Sequence, residues 1–255
     1  MSTRIGTPVR LMGPPVAFNT QDWWVTGAGH TGEAPITVGT IHGEAWEHSI
    51  AGGNITPAKK YGGVRIGFRR PIDRWVIKRT ITWMVGLCDG NVFSQVKSVA
   101  PDGTPVLSAP THMNPSGPRV AANPVDNHVL AIGGNIVVIT HDGQVFAHRL
   151  SDTAIGPGKP VPGARVAFRT ADRWVVAGQA RPGAEHEIFV ITSNGEVWAN
   201  TVHMSGGDIQ EIGQSHRLAG PGVGFRAQDR WVVLSGGKFV VITENGEAWV
   251  NDILE

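Results

Sequence analysis

The chain has 255 residues, a formal net charge of +1, only 17% charged residues and a single cysteine. That charge is too small and too evenly split to neutralise a phosphate backbone, so nucleic acid is not an expected partner. The same low charge argues against disorder, and the lone Cys88 leaves no internal disulfide and reads as a small buried filler.

No apolar run approaches the roughly 18 residues of a membrane helix, so no membrane is expected. The opening MSTRIGTPVRLMG lacks the apolar stretch of a secretory signal. Cytoplasmic localisation is the default expectation, with secretion of a processed form left open.

Taken in chain order, two patterns alternate. VAFNTQDWW (16–24) precedes ITVGTIHGEAW (36–46), and IGFRRPIDRW (66–75) precedes WMVGLCDGNVF (83–93). VAANPVDNH (120–128) precedes IVVITHDGQVF (136–146), and VAFRTADRW (166–174) precedes IFVITSNGEVW (188–198). The last pair is VGFRAQDRW (223–231) and FVVITENGEAW (239–249). The shared glycines, Gly43, Gly90, Gly143, Gly195 and Gly246, recur in steps of 47, 53, 52 and 51 residues.

Each repeat contains four strand-like runs rich in β-branched and aromatic residues. In the fourth copy they are 165–169, 173–178, 187–193 and 196–202. An Asp (Asp22, Asp73, Asp126, Asp172, Asp229) fits a tight turn before the second run. Asn-Gly, Asp-Gly or His-Gly supplies the positive φ of a two-residue hairpin before the fourth. Repeats near 50 residues with several strands each predict an all-β, five-bladed β-propeller with four antiparallel strands per blade. It is one domain over 1–255, with blades near 8–50, 64–97, 119–150, 164–202 and 222–255. Seven of the nine tryptophans occupy two repeat slots, Trp24, Trp75, Trp174 and Trp231 and then Trp46, Trp198 and Trp249. They are expected to wedge neighbouring twisted sheets together. Blade three departs most, with Ala122 for the usual Phe and His128 for the usual Trp.

Function is expected on the disk face that carries the variable loops and the crossings between blades. Five polar residues, each five past a repeat glycine, form a candidate ring: His48, Gln95, His148, Asn200 and Asn251. Amides and imidazoles above an aromatic suit a neutral polyhydroxyl ligand, although the same side chains could instead bond the backbone of the crossing. An unrepeated set contains His30, Glu33, Arg79, His112, Arg181, Glu185, His186, His203 and Lys238, residue types suited to acid–base work. No metal-ligand spacing is present, and no metal or cofactor is expected. Trp23 stands where other copies carry Arg or Asn, a candidate stacking surface.

The units NGEVWAN (194–200) and NGEAWVN (245–251) resemble the tectonin-like and tachylectin-like propeller repeats. That resemblance implies sugar binding between blades; it does not extend to the DRWVV element. Three readings follow. The first is lectin-like binding of a glycan or other small polar molecule in inter-blade grooves. The second is an enzyme with one site on the variable face or at the mouth of the central channel. The third is a protein-interaction scaffold. Oligomeric state is not legible.

Overall fold

The structure is a computed structural model that describes residues 3–16, 22–27, 34–40, 42–66, 73–79, 81–87, 89–120, 126–151, 153–166, 174–181, 183–223 and 229–254. For 22–24, 34, 73–74, 126–127 and 229–230 it describes the backbone alone. Every element is a strand. They form five small sheets of antiparallel neighbours, with one short parallel pair, Gly62–Gly63 on Pro105–Leu107, at the edge of the second.

The innermost strand of each sheet is the one that follows the repeat's Asp turn: Asp22–Gly27, Asp73–Arg79, Asp126–Ile132, Trp174–Gln179 and Asp229–Ser235. These five touch one another in cyclic order, the fifth returning to the first, so the molecule is a closed five-bladed β-propeller. The second strand (for example His186–Ile191) and the third (Val197–Ser205) follow outward, joined by the glycine hairpin.

The fourth strand is not where the repeat pattern put it. The run read as a first strand, such as 165–169, lies mostly outside the described residues. The outer edge of each blade is instead built by the crossing, in one or two short pieces. These are Asn54–Ile55 with Lys59–Lys60, Pro105–Leu107 with Thr111–His112, Lys159–Pro160, and Asp208–Ile212 with His216–Arg217. In blade five that edge comes from the start of the chain. Arg4–Ile5 and Val9–Arg10 pair with Ala248–Leu254, so first and last strands share a sheet. The residues counted at the beginning of blade one therefore complete blade five.

Crossings that differ in length hide a fixed pattern. A buried aliphatic (Ile5, Ile55, Leu107, Ile155, Ile212) is followed six residues on by a second apolar anchor (Leu11, Tyr61, Met113, Val161, Leu218). The backbone N–H of each anchor donates to the carbonyl of the first residue of its blade's third strand, as Leu218 does to Val197 at 2.9 Å. The next blade's first buried residue (Val16, Ile66, Val120, Val166, Val223) then donates its N–H to the carbonyl of the repeat glycine. Four junctions are also tied at the rim by parallel bridges between neighbouring crossings: Met12 to Asn54, Gly62 to Val106, Gly163 to Ile212 and Arg4 to Ala219. Glycines at these contacts have positive φ and no room for a Cβ, as at Gly163 (φ 105), where it would strike the Ile212 carbonyl.

Five apolar clusters fill the five junctions. Phe146, Trp198 and Trp249 pack against the clusters of their junctions, as wedges should. On its other side each third-strand aromatic pairs with an outer-strand residue. Lys60 lies over Trp46 at 5.4 Å and His112 stacks on Phe93 at 4.7 Å. The Asp turn side chains and Cys88 lie outside the described residues, as do the side chains of Trp23 and Trp24.

Gly143 has φ 82, and a Cβ there would collide with the carbonyl of Val166 on the next blade. Gly143→Ala should lower the urea midpoint with an unchanged m-value. Backbone strain alone costs about 1–3 kcal/mol. Gly52→Ala is the control, since Gly52 shares the positive φ but faces open space; it should lose distinctly less.

Candidate functional site

The predicted polar ring is fully formed, and it is turned inward. His48, Gln95, His148, Asn200 and Asn251 are all buried, at 3% exposure or less. Each donates to the carbonyl of the residue just after the buried aliphatic of its own outer strand, and Gln95 Nε2 also reaches the Arg65 carbonyl at 3.2 Å. His48 Nδ1 reaches Thr56 at 2.9 Å, Gln95 Nε2 reaches Ser108 at 2.9 Å, and His148 Nδ1 reaches Gly156 at 3.0 Å. Asn200 Nδ2 reaches Gly213 and Asn251 Nδ2 reaches Gly6, both at 2.9 Å. Five dissimilar side chains thus act as one latch that holds the outer strand to the third. The crossing carbonyl claims the donors that were read as ligand contacts, and burial keeps a ligand from replacing it.

Burial also governs the histidines. Desolvation holds His48 and His148 below the ordinary imidazole range even though each bonds a carbonyl. His128, standing among the inner-strand tryptophans, is driven down to about 4 by burial.

Of the remaining candidates, His30 and Glu33 lie outside the described residues. Arg79 is exposed, and His112 is stacked on Phe93. His186 is half-buried at the start of its strand, with its ring near Gly133 of blade three. Lys238 pairs with Asp252. Arg181 and Glu185 are brought together, and the structure adds residues that the sequence did not single out.

They share an open groove of about 380 Å³ between blades four and five. One wall is the loop from Ala180 to Glu185 with Glu187, Thr201, His216 and Arg217, all of blade four. The other is Thr3 with Ile253 and Leu254, the two ends of the chain. Glu187 is the most enclosed polar group there, 9% exposed. Burial raises its carboxyl, His216 opposes that and Glu185 adds to it. Among the described residues no hydrogen bond ties Glu187 down. Glu185 Oε1 meets His203 Nδ1 at 3.1 Å. Arg217 is braced by Glu196 at 2.8 Å. Glu187 was missed because its slot holds Pro35, Thr82, Asn135 and Lys238 in other copies, and so carries no repeat signal.

Two other cavities differ in character. A space of about 310 Å³ between blades five and one is lined by Leu11, Ile50, Ala51, Gly52, Gly53, Gly236, Lys238 and Val250. An axial one of about 320 Å³ is walled by the inner strands, including Trp75, His128, Trp174 and Trp231. Among the described residues no group of three metal-ligating side chains occurs, and no helix is long and apolar enough to cross a membrane.

No family model matches the sequence, and no curated protein matches it. Solved structures do match by shape. A GH43 glycoside hydrolase engineered for endo-xylanase and exo-arabinofuranosidase activity aligns at a TM-score of 0.51 and 12% identity, covering 93% of this chain and 52% of that one. Myxococcus xanthus glutaminyl cyclase aligns at 0.46 and 10% identity, covering 99% and 97%. Human WBSCR16 aligns at 0.37 and 13%, covering 92% and 59%. At these identities the likeness extends to the fold alone. The chain belongs to the class of five-bladed β-propellers.

If the ring is a latch, Asn200→Ala removes the donor to a buried carbonyl. It should cost about 1–3 kcal/mol in chemical denaturation and leave any ligand affinity in the groove unchanged. His48, His128 and His148 have folded-state values below their unfolded ones, so the stability they confer is complete above about pH 6.5 and fades as pH falls through the folded values. Denaturation midpoints should therefore drop on acidification from pH 6.5 toward 4. His128→Gln should flatten that slope by up to about 1.4 kcal/mol per pH unit.

Proposed function

We propose that the protein binds a small neutral polar ligand, of the carbohydrate class, in the single groove between blades four and five. The observation that carries this is the balanced, convergent lining. Two carboxylates (Glu185, Glu187) and two guanidiniums (Arg181, Arg217) share the space with His216 and Thr201. Vicinal hydroxyls both donate and accept, so they satisfy carboxylates and guanidiniums together. A ligand with net charge would meet one of those pairs unfavourably. Ile253, Leu254, Ala180 and Ala219 supply an apolar floor, and the volume falls within the usual range of small-molecule sites, about 300–1,000 Å³.

This keeps the inter-blade binding expected from the repeats but moves it off the five-fold ring. The groove between blades five and one is of similar size but mostly apolar, which favours one site over several equivalent ones. A second reading is favoured by Glu187 itself. A carboxyl raised by burial beside a second carboxylate is the arrangement of a general acid, so glycoside hydrolysis is the reaction to assay. The fold likeness to a glycosidase adds nothing to either reading, since one fold hosts many functions.

Titration calorimetry against mono- and oligosaccharides should give a stoichiometry near one. Glu187→Gln and Arg181→Ala should each weaken binding at least about tenfold, the loss of one charge-assisted hydrogen bond. Saccharides without effect at millimolar concentration, in calorimetry and in hydrolysis assays alike, would end both readings.

A further inference from the structure

The junction between blades one and two is unlike the other four. Six equivalent slots meet at every junction, three from one blade's second, third and outer strands and three from the next blade's first, second and third. Between blades four and five they hold Phe189, Ala199, Leu218, Leu234, Phe239 and Ile253. Between three and four they hold Val137, Ala147, Val161, Ala177, Ile188 and Val202. Between five and one they hold Val240, Val250, Leu11, Gly27, Ile36 and Ile50. Between two and three only Ser94 is polar, and it donates to the Met113 sulfur. Between one and two the same slots hold Thr37, Glu47, Tyr61, Lys78, Trp83 and Lys97.

These six make one cluster. Lys78 Nζ, on a side chain 1% exposed, donates to Thr37 Oγ1 at 2.9 Å and Glu47 Oε2 at 3.3 Å. Lys97 Nζ donates to Glu47 Oε1 at 2.6 Å, and Tyr61 donates its hydroxyl to Glu47 Oε2 at 2.5 Å. Glu47 thereby accepts three hydrogen bonds, two at Oε2 and one at Oε1. The donors around it outnumber what its last free site can take. Each ammonium has protons to spare, and the Trp83 indole N–H, on a fully buried side chain, has no hydrogen-bond partner among the described residues. It lies toward the Tyr61 hydroxyl without closing a bond. Two ammonium groups face one carboxylate, with Lys97 over the Tyr61 ring at 5.5 Å and Lys78 over Trp83 at 5.8 Å.

A buried excess of positive charge beside an orphan donor is costly twice over. One small electron-rich group resolves both. We propose that this junction is a binding site for a small monovalent anion, held by the Lys78 and Lys97 ammonium groups and the Trp83 N–H. Glu47 and Lys97, about 14% and 19% exposed on their side chains, form its mouth. Glu47 orients the two lysines and, by its own charge, limits the site to one negative charge. The chemistry suits either a halide or the carboxylate of a short acid.

Crystals soaked in bromide should show an anomalous peak within hydrogen-bond distance of Lys78 Nζ and Trp83 Nε1. In solution, melting should rise with chloride or with acetate, but not with matched ionic strength from a bulky sulfonate. A response to chloride alone marks a halide site, and a response to acetate alone marks a carboxylate site. Trp83→Phe, which keeps a smaller aromatic ring and removes the N–H, should weaken the response several-fold. Lys78→Met should abolish it, and a fold check by circular dichroism guards against collapse of the junction. A junction empty of bromide, together with melting that follows ionic strength only, overturns the proposal. The imbalance is then relieved by a neutral Lys78, toward which burial already pushes that amine.

Discussion

Everything in this molecule depends on closure of the ring. The inner strands bring five sheets into contact, but a ring assembled from one chain has one seam that no loop connects. Here Arg4–Ile5 and Val9–Arg10 add to the edge of Ala248–Leu254, and Ile5 sits in the same cluster as Leu218 and Phe239. The Asn251 side chain bonds the Gly6 carbonyl just as Asn200 bonds Gly213. The seam is thus made by the same contacts as every covalently continuous blade. Two short strands paired across the full length of the chain carry a large loop-closure cost in entropy. The latch, the buried aliphatic and the rim bridge from Arg4 to Ala219 together offset it.

The outer strand shows how strongly a side chain can govern an edge. An edge strand of two or three residues has few ladder bonds and frays easily. Each blade compensates with a buried Ile or Leu that anchors the strand and a side chain that bonds the next carbonyl. Histidine, glutamine and asparagine all serve, because the requirement is one N–H donor at the right height and nothing more. That is why the ring looked chemically uniform and variable in type at once. A binding site would tolerate such exchange poorly.

The repeat glycines and tryptophans made the fold readable, because a positive-φ turn and a bulky wedge both restrict residue type. The outer strand was not read, although Ile5, Ile55, Leu107, Ile155 and Ile212 recur with an apolar residue six later. Variable hairpins, such as Gly206–Gly207 or 100–104, shift those positions within crossings that look irregular. Placing the crossings wholly among free loops was the consequence. The groove was half legible. Arg181 and Glu185 stood out as loop charges, whereas Glu187 and His216 occupy slots with no common residue type. The polar junction was legible in principle, since Glu47 stands where other copies have Ser94, Ala147, Ala199 and Val250. It went unnoticed because a single lysine or glutamate in a strand ordinarily reads as a solvated face.

The two unrepeated sites lie on opposite sides of the ring's own logic. The junction between blades one and two departs from the repeat inside the apolar core, where a polar change is expensive and survives only if something compensates it. The groove between blades four and five departs at the rim, where change costs little. Yet one wall of that groove is Ile253 and Leu254, of a strand that closes the ring, with Thr3 just before its partner strand. A ligand of the proposed kind seated there would touch the last strand of the closing pair and the loop of blade four. Under the proposed function it would bind the closed ring in preference to any opened form, and its binding energy would add to closure by mass action.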